Sequence, residues 1–191
     1  HGIYNGKIEI NRPSYQIAQR KNEVHFDDIS AAIDLIEKAE KPIFYTGGGI
    51  INSGEKASKL LTKFVRETGF PITNTLMGLG AYPGNDPQFL GMLGMHGTYE
   101  ANLAMAECDV MICVGARFDD RVTGDVKRFS LGSKKIHIDI DSSSINKNIK
   151  VDVELVGDAG KILAKFNEML KKHKFSKEQC SDWWELIAKW R

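Results

Sequence analysis

The 191-residue chain sets 26 lysines and arginines against 25 aspartates and glutamates, and this net charge of +1 gives no electrostatic ground for a nucleic-acid or anionic-membrane partner. Hydrophobic residues at 42% and charged residues at 27% are an ordinary globular balance, enough for one domain with a substantial core. No apolar run approaches the roughly 20 residues that span a bilayer. Cys108, Cys113 and Cys180 form no C-x-x-C pair, which argues against a disulfide framework or zinc site and for a reducing compartment.

Residues 1–26 lack sustained periodicity and read as an N-terminal arm or linker. Beginning at His1 with no apolar leader, the chain is expected to be a processed, truncated or engineered piece. "DDISAAIDLIEKAE" opens with two acids and repeats Ile29, Ala32, Ile33 and Ile36 at helical spacing. "KPIFYTGGG" predicts a first strand ending in glycines, residues 54–68 a helix, and "FPITNT" a second strand. The glycine-rich stretch 76–97 leads to a helix over Thr98–Glu107. "DVMICVG" and "KKIHIDID" predict the third and fourth strands, with a helical turn near 142–147. "KVDVELVGD" is the fifth, followed by the helix "AGKILAKFNEMLKK". Residues 27–173 are thus expected to form one domain, and 174–191 a C-terminal linker helix. In "SKEQCSDWWELIAKWR", Trp183, Ile187 and Trp190 make one apolar stripe at i, i+4 and i+7. This stripe is expected to pack on a surface outside the sequence, and otherwise to fold back, self-associate or move freely.

Strands alternating with helices predict an α/β fold, an open parallel-sheet, Rossmann-like, three-layer domain. Ligands of such sheets sit at strand carboxyl ends, near a switch in strand order. Gly47–Gly49, Thr75, Gly115 and Asp139 all fall at such ends, so one crevice can hold them.

The dinucleotide fingerprint fails twice here. "GGGIIN" ends on Asn52 where a glycine is needed, and the second strand ends "TNT" without a ribose-gripping acid. Gly115 and Asp139, 24 residues apart, suit backbone contact with a phosphate and a carboxylate on ribose or adenine. Asp139 and Asp141 share one strand face, and a solvated strand end is the plainer reading of that pair. His96 lies between glycines just before a helix, where it either stacks on a flat ring or stays solvated. Met77, Met92 and Met95 in glycine-rich loops suit an apolar pocket wall. No Ser-His-Asp order, metal-ligand spacing or P-loop is present, so no catalytic or metal-binding residue is expected.

"YTGGG", "TLMGLGAYP", "LGMLGMHGTYEAN", "GARFDDRVTG", "HIDID" and "VGDA" occur in one order, and together they resemble the central domain of acetolactate synthase (acetohydroxyacid synthase). The match runs from about Asp27 to Leu170. The resemblance implies a thiamine-diphosphate enzyme that condenses two pyruvates, or pyruvate and 2-oxobutanoate, in branched-chain amino-acid biosynthesis. It further implies a middle domain that binds FAD, largely as a structural group, while other domains hold thiamine diphosphate and Mg²⁺. The G-D-G…N-N segment that would hold those two is not in this sequence.

Carried over to this sequence, the family's contacts set Gly48 and Gly49 near pyrophosphate or ribitol, and Thr75, Leu76 and Met77 beside the flavin. Gly94, Met95, His96 and Gly97 would line the isoalloxazine, and Gly115, Arg117 and Val122 would face ribityl and phosphate. Asp139 and Ile140 would meet the adenosine half and Asp158 the adenine end, while Asp120 and Arg121 would face the substrate channel, where inhibitors also bind. Arg12, directly before Pro13 in "NRPSY", is the candidate for an upstream arginine that touches the nucleotide.

The alternative is a sister thiamine-diphosphate carboligase or a 2-oxo-acid oxidase or decarboxylase, against which the full "RFDDRVTG" weighs. An NAD-dependent deacylase would need paired cysteines and an asparagine–histidine set, and a ligand-free interaction module would stay colourless with FAD. The implied partners are the enzyme's other domains, further copies in a homo-oligomer and a regulatory subunit. The implied location is the cytoplasm, and a plastid stroma fits equally.

Overall fold

The structure, a computed structural model, describes residues 26–171 and 177–191, so Arg12 lies outside the described residues. Among the described residues six strands form one sheet: β1 (Pro42–Thr46), β2 (Ile72–Asn74), β3 (Phe89–Met92), β4 (Val110–Val114), β5 (Lys134–Asp139) and β6 (Val153–Val156). Every pair is parallel and the order is β3-β2-β1-β4-β5-β6. The order reverses between β1 and β4, and there the crossovers from these two neighbouring strands, to β2 and to β5, leave in opposite directions and open a crevice at the strand carboxyl ends.

Side chains alternate between faces along a strand, yet every residue of β1 and β4 is buried. Both faces of the central strands are therefore covered, which is why "PIFYT" and "VMICV" read as continuous apolar runs. The helices are α1 (Phe26–Glu37), α2 (Gly48–Asn52), α3 (Glu55–Thr68), α4 (Tyr99–Glu107), α5 (Asp120–Thr123), α6 (Ala159–Leu170) and α7 (Ser181–Ala188). In α1 the buried residues are those of the predicted stripe, Ile29, Ala32, Ile33 and Ile36. α3 buries Leu61, Phe64 and Val65, and Phe64 packs on Phe166 of α6 with ring centroids 5.4 Å apart. The Thr98 hydroxyl and the Asp158 carboxylate cap α4 and α6, each accepting a first-turn amide that has no intrahelical partner.

Three expectations change. The sheet has six strands rather than five, because "FLGM" inside the glycine-rich stretch pairs with β2 as a short edge strand. Its register shifts between Ile72 and Asn74, and so irregular a run carries no period-2 signal. Residues 142–146 form successive turns and no helix, with Asp141 accepting from the amide and hydroxyl of Ser143. The C-terminal stripe packs on this same domain rather than on an outside surface. Trp183 and Ile187 are buried, Trp183 Nε1 donates to Pro42 O at 3.0 Å, and Trp184 Nε1 donates to Gly69 O at 2.9 Å. Gln179 donates to Glu37 O and Ala39 O, and Arg191 to Pro87 O and Phe89 O. The segment therefore clamps the amino ends of β1, β2 and β3, the opposite edge from the crevice.

Candidate functional site

Backbone hydrogen bonds continue past the strand ends and line up the crevice floor. Leu93 N donates to Asn74 O, Thr75 N to Thr46 O, Gly47 N to Val114 O, Gly115 N to Ile138 O, and Gly157 N to Asp139 O, at 2.8–3.3 Å. These bonds set the expected residues Gly48, Gly49, Thr75, Gly94, Gly115, Asp139 and Asp158 along one edge of the sheet.

At the order switch the segments after β1 and β4 touch. Gly49 N donates to Gly115 O at 2.9 Å, and a Cβ on Gly49 would lie 2.5 Å from Gly115 Cα. Gly115 itself sits at φ +59, a conformation that costs an L side chain about 1–2 kcal/mol. Glycine is required at Gly49 by contact and at Gly115 by both contact and conformation.

Exposed apolar side chains follow several of these strand ends. Leu76 and Met77 follow β2, Met95 and Tyr99 follow β3, and Ile140 follows β5, at 66–85% exposure. The Leu76–Gly78 turn is held from below by buried polar groups: Thr46 donates to the Asn74 amide oxygen, and Asn74 Nδ2 donates to Gly78 O at 2.9 Å. The Thr75 hydroxyl accepts Gly78 N at 3.1 Å, so Thr75 acts here as the turn's cap. His96 is exposed beside Met95, and Asn102 ties Gly94 down through Gly94 N and Gly94 O. Gly97 is packed so tightly against Met92 and Leu93 that a Cβ would lie 2.3 Å from Met92 O.

The loop after β4 is anchored from beneath at three successive carbonyls. Ala116 O accepts His137 Nε2 at 2.8 Å, Arg117 O accepts the Tyr45 hydroxyl at 3.1 Å, and Phe118 O accepts Asn148 Nδ2 at 2.7 Å. Cys113 Sγ also donates to Ala116 O at 3.1 Å, and burial raises that thiol far above its usual range, so it keeps its proton. Phe118 fills the space below, edge-on to His137 with centroids 5.2 Å apart. On this support Arg117 stays exposed and pairs with Asp119 at 3.0 Å. An exposed pair of this kind contributes little stability, which leaves the guanidinium available to an anion. Asp120, Arg121 and Val122 follow in α5, and Val122 is half-buried against the core.

Asp139 ends β5 with its side chain largely buried. Oδ1 accepts Asp141 N at 2.8 Å, and Oδ2 lies 3.9 Å from His137 Nε2. Asp158 caps α6 through Oδ1 and accepts the Ser53 hydroxyl through Oδ2 at 3.0 Å, so its carboxylate is already engaged. The supports Tyr45, His137, Asn148, Thr46 and Asn74 escape a motif-based reading. For all but Asn148, which lies in the turns before β6, the signal is a polar residue inside an apolar strand, which alone does not name the group it holds. Among the described residues no group of three or more His, Cys, Asp or Glu side chains stands close enough to hold a metal ion, and no helix is long and apolar enough to cross a membrane.

The chain is similar to acetolactate synthase large subunits. The acetolactate synthase large subunit of Buchnera aphidicola subsp. Schizaphis graminum is 45% identical over 87% of this chain and 29% of its own length. That of Haemophilus influenzae is 44% identical over 98% of this chain and 33% of its own. The acetolactate synthase isozyme 3 large subunit of Escherichia coli is 41% identical over 87% of this chain and 29% of its own. The chain thus spans about a third of the length of the curated relatives it matches. The family described as thiamine pyrophosphate enzyme, central domain, matches residues 29–166 and accounts for the six-stranded parallel sheet, and the chain belongs to that family.

Proposed function

We propose that the chain is the FAD-binding central domain of an acetolactate synthase large subunit, the enzyme that joins two pyruvates, or pyruvate and 2-oxobutanoate, into an acetohydroxy acid. One observation carries the FAD reading: at the switch between β1 and β4 the backbone is stripped to glycine at Gly49 and Gly115, Met77 lies against the neighbouring Gly48, and the exposed Leu76, Met95 and Ile140 follow other strand ends of the same sheet. Side-chain-free backbone suits a diphosphate, and a flat apolar wall suits a ring system; FAD joins the two in one molecule.

In this reading Gly48, Gly49, Gly115 and Arg117 hold the phosphate and ribityl portion, with Val122 below it. Thr75, Leu76, Met77, Gly94, Met95, His96 and Gly97 flank the isoalloxazine. Asp139 and Ile140 take the adenosine half. Asp158, whose two oxygens are already used, would reach the adenine end only through backbone or a shared Ser53 contact. Bound FAD would contribute a rigid, charged filler that orders these loops. Asp120 and Arg121, in the first turn of α5, are assigned to the rim of the substrate channel. Thiamine diphosphate and Mg²⁺ belong to the part of the enzyme beyond this third of its length, as do the other domains, further copies and a regulatory subunit as partners, in the cytoplasm.

The test is a titration of the chain with FAD, followed by flavin fluorescence and absorption. Weak but saturable binding is expected, because neighbouring domains normally cover part of such a cleft. Asp139→Ala should weaken it by about 1–3 kcal/mol through a lost hydrogen bond. No binding, or an unchanged Asp139→Ala curve, overturns the FAD reading or the role of Asp139 respectively.

A further inference from the structure

We propose that His137, with Tyr45 and Asn148, forms a three-point latch that positions the Arg117 loop, and that His137 is the member that ties this loop to β5, the strand ending in Asp139. Three elements converge on three consecutive carbonyls: β5 on Ala116 O, β1 on Arg117 O, and the segment before β6 on Phe118 O. With its carbonyls drawn inward, the loop's backbone has little freedom left, and the Arg117 side chain is the part that extends outward.

The chemistry of the imidazole singles out His137. A carbonyl only accepts, so the proton on the ring resides at Nε2, 2.8 Å from Ala116 O. Nδ1 is buried without a hydrogen-bond partner among the described residues. A leucine or phenyl group would fill the same space without the desolvation of that nitrogen, so core filling alone does not account for an imidazole here. What an apolar group lacks is the Nε2 donor. The same Nε2 is 3.9 Å from Asp139 Oδ2, and Asp139 is fixed on its other oxygen by Asp141 N. That 3.9 Å is too long for a hydrogen bond, so the ring's one proton serves Ala116 O and ties the loop after β4 to β5 two residues before Asp139. The effect on affinity rests on the FAD reading above; the effect on the loop does not.

The experiment compares the wild-type chain with His137→Leu, His137→Gln and Asn148→Ala. Glutamine carries its Nε2 the same number of bonds from Cα as histidine and restores the donor. The backbone amide shifts of Ala116–Asp119 and Asp139–Asp141, the melting temperature and the FAD titration are measured for each chain. His137→Leu should move both sets of amide shifts and weaken FAD about tenfold, the size of one neutral hydrogen bond in an equilibrium constant. His137→Gln should return the shifts toward wild type and bring affinity within about threefold. Should His137→Leu fail to fold, Asn148→Ala serves, because Asn148 is exposed; it should shift the Phe118 and Asp119 amides at an unchanged melting temperature. If glutamine is no better than leucine, or Asn148→Ala leaves the loop unmoved, the latch is overturned. If the shifts follow the predicted order while the wild-type chain fails to bind FAD, the latch stands and the FAD reading falls.

Discussion

His137 makes the chain's stability depend on pH. Burial lowers its pKa from the ordinary 6.5, so in the unfolded chain the ring takes up its proton at a higher pH than in the fold. The unfolded state therefore binds more protons below about pH 6.5, and the stability that His137 lends is complete above that value and lost as the pH falls through it. Urea midpoints measured from about pH 7.5 down to about pH 5.5 should decline more steeply for the wild type than for His137→Gln. Parallel curves would mean that the ring protonates alike in both states. Asp158 gives a second expectation at this scale. Asp158→Ala removes the α6 cap and the Ser53 contact, and should lower stability by about 1 kcal/mol. A urea midpoint unchanged from wild type would show the cap to be replaceable by water.

The elements divide into a clamp and a crevice at opposite edges of one sheet. α7 carries the clamp. Trp183 is buried, donates to Pro42 O and meets Trp190 edge-on with centroids 5.7 Å apart. Trp183→Ala should therefore cost about 3–5 kcal/mol, through cavity formation and the loss of its donor. A loss under about 1 kcal/mol would mean that the segment merely rests on the domain. The crevice depends on the β1 and β4 ends touching. A methyl group at Gly49 would meet Gly115 Cα at 2.5 Å, and because that obstacle is backbone the two segments must separate. Gly49→Ala should destabilise by about 1–3 kcal/mol as an overpacked contact. It should also weaken FAD binding beyond what the melting shift predicts, and wild-type affinity in that variant would remove the switch point from the binding surface.

In the proposed reading the chain supplies a floor and one wall of a site, and the reaction centre lies in the rest of the enzyme. Among the described residues there is no cluster to hold a metal ion, and the sequence has no G-D-G…N-N segment to retain a diphosphate with Mg²⁺. Given pyruvate, thiamine diphosphate, Mg²⁺ and FAD, the chain by itself should form no acetolactate. Its formation would overturn the assignment of chemistry to the rest of the enzyme. Leu76, Met77, Met95, Tyr99 and Ile140 are all exposed, and in the proposed reading they are covered by the ligand or by neighbouring domains.

Local order was readable from the residues themselves. Ile29, Ala32, Ile33 and Ile36 repeat at helical spacing, and "PIFYT" and "VMICV" are apolar runs closed by glycine, because periodicity and chain punctuation depend on near neighbours. That was enough for an α/β fold and for gathering Gly49, Thr75, Gly115 and Asp139 at strand ends. Strand order was not readable: buried parallel strands look alike as apolar runs, and only packing decides that β1 pairs with both β2 and β4. The strand "FLGM" needed β2 beside it to become a strand at all. Trp183 has the same stripe whether it packs at home or elsewhere, and the carbonyl of Pro42, 141 residues away, decides that it packs at home. His137 and Ala116 are 21 residues apart, and their hydrogen bond exists only because β4 and β5 are adjacent. Near-neighbour chemistry determined most of the elements and the strand-end position of the candidate residues, whereas β3 and the support beneath those residues came from contacts between distant segments, which no local pattern encodes.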